Sequence, residues 1–130
     1  MDMAILGQMF LNGGTLGGER ILSKASVEAM TRDQIPGIMA EYKDKTIGPG
    51  EWELGWSIYI NGKSWAYGEP LLSQGSYCHG DSGGVFFWID PARDLVAVFF
   101  STYLSMTKDE RPVAATDLFI NSVLASIIDD

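Results

Sequence analysis

The residues whose types and spacing could do chemistry lie in one run, His79-Gly80-Asp81-Ser82-Gly83-Gly84, which leads straight into Val85-Phe86-Phe87-Trp88-Ile89-Asp90-Pro91. An imidazole, a carboxylate and a hydroxyl stand within four residues. Nucleophilic catalysis asks for more than these types: a base must reach the hydroxyl, and a third group must orient the base. Flanking glycines let a backbone N–H come close to a substrate oxygen, which is what an oxyanion site needs. A second string, Ser105-Met106-Thr107-Lys108, would put a hydroxyl and an ammonium one turn apart on a helix. It runs into the polar turn Asp109-Glu110-Arg111-Pro112, so it reads first as a solvated loop entering the last helix. Use of Ser105 and Lys108 as a catalytic pair is the alternative.

Gly80-Asp81-Ser82-Gly83-Gly84 also matches the nucleophile loop of chymotrypsin-like serine proteases. That chemistry needs a separate His to take the serine proton and a buried Asp to orient it. The single His of the chain, His79, is three residues from Ser82 on the same strand or turn, so the string reads as a Gly-rich strand entry. Cys78 reads as a small buried hydrophobe. One Cys and one His cannot build a structural zinc site, so no metal is expected, and nothing calls for a cofactor. Phe86, Phe87, Trp88, Phe99 and Phe100 read as sheet packing, whereas Trp52, Trp65 and Tyr67 sit in loop-like context where they could line a cleft.

The elements that must position these residues follow from periodicity. Residues 2–11 read as a helix with Asp2 as N-cap and an apolar stripe of Ile5, Leu6, Met9 and Phe10, stopped by Asn12-Gly13-Gly14. A Gly-rich turn over 15–20 leads to a second short helix, with Ser23 as N-cap and Val27 and Met30 facing inward. Residues 32–50 show no period and read as a long loop. Residues 54–60 alternate Trp56, Ile58 and Ile60 against Ser57 and Tyr59, as a half-buried strand does. Residues 85–89 and 95–100 form a hairpin through Asp90-Pro91-Ala92-Arg93-Asp94. Residues 112–128 read as a helix with Leu118, Phe119, Val123, Leu124 and Ile127 on one side. The expected fold class is α+β, an antiparallel sheet of about three strands packed with helices, in one domain spanning 1–130.

Composition sets the outer bounds. The chain has 130 residues, 46% of them hydrophobic, and a net charge of −8. That length buries a real core. No Lys/Arg cluster exists, so nucleic acid is set aside, and no apolar run is long enough to span a membrane. Met1-Asp2-Met3-Ala4 lacks the basic and long apolar regions of a secretory signal, so the chain is expected in the cytoplasm if it is complete.

Five segments in order resemble the C-terminal part of the serine β-lactamase and penicillin-binding-protein family, including its esterase-like and carboxypeptidase-like members. They are Asp2-Met3-Ala4 with Gln8-Met9-Phe10-Leu11-Asn12-Gly13-Gly14; Ile21-Leu22-Ser23 through Val27-Glu28-Ala29-Met30-Thr31; Leu54-Gly55-Trp56; His79-Gly80 through Phe87-Trp88-Ile89-Asp90-Pro91; and Leu95-Val96-Ala97-Val98-Phe99. The resemblance implies a partial β-lactamase/transpeptidase-like fold and acyl transfer to a nucleophilic serine. The family's Ser-x-x-Lys and Tyr motifs precede everything matched. It further implies that His79 heads the third motif, that His79, Gly80 and Asp81 border the substrate, and that the Ser82 backbone N–H is one oxyanion donor. Asp81 departs from the family's usual Gly, and a carboxylate there crowds the oxyanion. The substrate implied is a small ester, amide or lactam, and the chain alone is expected to be inactive. The competing class is a non-catalytic module that self-associates as a homo-oligomer or pairs with the N-terminal portion.

Overall fold

The computed structural model describes residues 2–42, 45–49, 54–60, 71–81, 85–101 and 113–127. Helix α1 (Asp2–Leu11) starts at Asp2 itself, which places that carboxylate in the first turn rather than at the cap. The helix ends as its glycines direct. Gly13 and Gly14 have φ of 64° and 96°, and their N–H groups donate to the carbonyls of Phe10 and Met9, both at 2.9 Å. This is the paired closure of a Schellman motif. Gly14 is irreplaceable on a second count, because a Cβ there would lie 2.2 Å from the Leu22 carbonyl oxygen.

The Gly-rich turn is a two-residue hairpin joining β1 (Thr15–Leu16) to β2 (Glu19–Arg20). Gly17 and Gly18 supply the two positive φ values, 58° and 89°, that a type I′ turn requires. Helix α2 (Lys24–Met30) follows, with the Ser23 hydroxyl accepting from the Ser26 N–H at 3.0 Å. The expected cap is therefore in place, and Val27 is buried.

Residues 32–50 are not a plain loop. They carry an antiparallel hairpin, β3 (Met39–Tyr42) with β4 (Lys45–Pro49), whose register shifts between Ala40 and Glu41. That irregularity breaks the alternation a sequence pattern relies on.

The main sheet has four antiparallel strands in the order β5 (Ser57–Ile58), β6 (Tyr77–Asp81), β7 (Val85–Asp90) and β8 (Leu95–Phe99). The expected hairpin is β7–β8, with Phe87 opposite Val98 and Trp88 opposite Ala97. The strand beyond the expected three is β6. Its Cys-His-Gly-Asp has no β-branched residue, and pairing with β7 along its whole length makes it a strand.

Both faces of the sheet are covered, which corrects the half-buried reading of 54–60: Trp56, Ser57, Ile58 and Tyr59 are all buried. One face presents Trp56, Ile58, Tyr77, Phe87 and Ile89 to Met9 and Phe10 of α1 and Val27 of α2. The other presents Tyr59, Cys78, Phe86, Trp88 and Ala97 to Ile120 and Leu124 of α3 (Val113–Ala125). Alternation along each strand assigns the faces. α1 comes close because residue 7 is glycine, where a Cβ would meet Val96 Cγ1 at 2.5 Å and the Phe87 ring at 2.8 Å. Two stripe assignments change. Leu118 is 69% exposed, since the buried stripe of α3 runs through Thr116, Ile120 and Leu124. Ile5 and Leu6 are 45% and 38% exposed, because α1 turns Met9 and Phe10 to the sheet.

Candidate active site

Strand β6 sorts its side chains by parity. Tyr77 enters an aromatic cluster with Phe10 and Trp56, the Trp56 ring lying 5.2 Å from Tyr77, 5.0 Å from Phe10 and 5.4 Å from Phe87. Burial pushes the Tyr77 phenol up to about 12, so it stays protonated. Cys78 points to the opposite face and is buried. Desolvation pushes its thiol up to about 12, against the opposing pull of the Ser57 hydroxyl beside it. A thiol held that firmly is no nucleophile at neutral pH, as its sequence context implies.

His79 returns to the first face, beyond the aromatic cluster and exposed, opposite Phe87 on β7. Its Nδ1 lies 2.9 Å from the Gly55 carbonyl oxygen. A carbonyl only accepts, so Nδ1–H is the donor and Nε2 is the nitrogen left to meet a ligand. Gly80 is half-buried opposite Phe86, and the Asp81 backbone pairs with Val85. The structure thus brings His79, Gly80 and Asp81 together at one end of the β6–β7 pair. Ser82, Ser105, Lys108, Trp52, Trp65 and Tyr67 lie outside the described residues.

The opposite end of β7 holds a polar cluster where the residues alone indicate only a turn. Asp90 is wholly buried. It accepts from the N–H groups of Ala92 (3.1 Å), Arg93 (3.3 Å) and Ser73 (3.4 Å) and from Arg93 Nη1 (2.8 Å). Arg93 Nη1 also donates to the Ser73 hydroxyl. Asp90 thereby caps the short 3-10 turn Pro91–Arg93 and ties residue 73 to the hairpin. The Asp-Pro step is the signal that could have revealed the cap; the tie to Ser73 has none. The Gly55 carbonyl likewise has no side-chain signal, being a backbone group.

No metal-holding group of three or more His, Cys, Asp or Glu occurs among the described residues, and no described helix is long and apolar enough to cross a membrane. No protein-family model matches the chain and no curated protein matches it. Solved structures do. A beta-lactamase from Mycobacterium bovis superposes with a TM-score of 0.67 at 23% identity, over 95% of this chain and 43% of its own. A family VIII carboxylesterase superposes with a TM-score of 0.57 at 26% identity, over 87% of this chain and 28% of its own. The chain spans less than half the length of either structure. By its fold, the chain stands with the serine β-lactamase-like proteins.

Proposed function

We propose that this chain supplies the third-motif strand of a β-lactamase-related serine hydrolase, and that the nucleophile motif lies in sequence outside these 130 residues. One observation carries the reading: in a fold similar to that of a beta-lactamase and a carboxylesterase, His79 stands exposed on β6 with its Nδ1 held by the Gly55 carbonyl, which leaves the lone pair of the neutral ring on Nε2. In the assembled site a serine Oγ bonds to the carbonyl carbon of an ester, amide or lactam. The carbonyl oxygen becomes an oxyanion, which the Ser82 N–H stabilises from one side. The bond to the leaving group then breaks, the leaving group takes up the proton given up by the serine hydroxyl, and water hydrolyses the acyl-serine to the acid and free serine. His79, Gly80 and Asp81 border the substrate, with His79 Nε2 as its polar contact. Asp81 replaces the usual Gly and adds negative charge beside the oxyanion, so turnover of the assembled site is expected to rise on Asp81→Gly. The test on the chain itself is turnover of p-nitrophenyl butyrate and nitrocefin. The reading predicts none; turnover abolished by Ser105→Ala would instead establish a stand-alone hydrolase using Ser105 and Lys108.

A second reading, a self-associating or partner-binding module, is favoured by one observation. Ile21, Ile38, Leu54, Phe100 and Leu118 are large apolar side chains left exposed. Size-exclusion chromatography tests its self-associating form: a dimer or larger species supports it, and a monomer across concentrations removes it.

A further inference from the structure

We infer that Gly55 is a positioning residue for His79, its carbonyl fixing which ring nitrogen carries the proton and therefore which atom faces a ligand. The Nδ1-to-carbonyl distance is 2.9 Å, and the carbonyl can only accept. The neutral ring is thus held as the Nδ1–H tautomer, with the lone pair on Nε2, much as the outer partner of a metal-bound or catalytic imidazole sets its tautomer. Two features aim this carbonyl. Gly55 has φ of 97°, a conformation L-residues rarely adopt. The next residue, Trp56, is buried and packed edge-on against Phe10 and Tyr77, which anchors the peptide that follows. His79 is held in turn by the pairing of β6 with β7. The chain of contacts runs from α1 through Trp56 to the Gly55 carbonyl and on to the imidazole. Its meaning for catalysis rests on the proposed function: Nε2 would accept a hydrogen bond from a substrate N–H or O–H.

The chain has a single His, so its imidazole nitrogens give one unambiguous pattern in a long-range proton–nitrogen spectrum. In the neutral ring Nδ1 is expected as the protonated, pyrrole-type nitrogen and Nε2 as the pyridine-type one. A Cβ at position 55 meets nothing within 4 Å, so Gly55→Ala perturbs the backbone without a clash. That variant is expected to shift the ring to a mixture in which the Nε2–H form, the intrinsic preference of a free imidazole side chain, dominates. Semisynthetic D-alanine at 55, which accepts a positive φ, is expected to restore the Nδ1–H form. A wild-type ring that is mainly Nε2–H overturns the inference, as does a folded Gly55→Ala chain with an unchanged tautomer. None of these readouts depends on turnover, so a failed hydrolase assignment and a failed tautomer assignment remain distinguishable.

Discussion

At one end of β7, Asp90 is buried and accepts four hydrogen bonds from backbone and guanidinium donors. Further along the β6–β7 pair, His79 is exposed and, among the described residues, its ring bonds to one carbonyl through Nδ1. Both residues are ionisable by type. The first has its hydrogen-bonding capacity spent inside the protein, as a buried charge must to be tolerated. The second is exposed, and its Nδ1 is bound to a carbonyl that only accepts. The contrast teaches that polarity alone does not separate the two regions; burial and the number of protein partners do.

The comparison can be broken from either end. The largest effect is expected at the closed end. Asp90→Ala strands the N–H groups of Ser73, Ala92 and Arg93 and removes the carboxylate partner of the Arg93 guanidinium, and should cost about 3 kcal/mol in urea denaturation. The His79 tautomer should be unchanged in the folded fraction. Between the ends, Gly7→Leu drives a side chain into Phe87 and Val96, and overpacking should lower stability by about 2 kcal/mol.

Alkaline pH tests the middle of β6. Cys78 and Tyr77 are both raised to about 12 from ordinary values of 9.0 and 10.0, so the folded chain keeps protons that the unfolded chain releases. Their stabilisation is therefore complete below about pH 9 and is lost as pH rises toward about 12. By pH ~10 the loss should be about 1–2 kcal/mol, read as a lower urea midpoint, and Cys78→Ala should remove most of that slope. The smallest effect belongs to the open end. His79→Ala removes one exposed hydrogen bond and should change stability by less than about 0.5 kcal/mol. A loss comparable to that of Asp90→Ala would erase the distinction between the two ends.

Much of this arrangement was legible from residues alone. The hairpin β7–β8 announced itself because two β-rich runs flank Asp90-Pro91, a strong turn signal. The glycine closure of α1 and the Ser23 cap are local chemistry, and local chemistry needs no knowledge of the rest of the fold. Strand β6 was harder, since Cys78, His79 and Gly80 have little intrinsic preference for a strand and follow β7 instead. The burial of both faces was hidden for a related reason: alternation at 54–60 reports two environments, and here both are apolar, with Ser57 and Tyr59 as buried as Trp56 and Ile58. At the site, residue type selected His79, Gly80 and Asp81, but the orientation of the imidazole comes from a main-chain carbonyl 24 residues away in sequence. No side-chain pattern encodes such a partner.

Under the proposed function, this chain carries the substrate-facing strand of a serine hydrolase site and not its activated nucleophile. Intact-mass spectrometry after incubation with a fluorophosphonate, which labels only activated serines, tests it most directly. An unmodified mass is expected. A single adduct would contradict it, and peptide mapping to Ser82 or Ser105 would identify the nucleophile that the account denies.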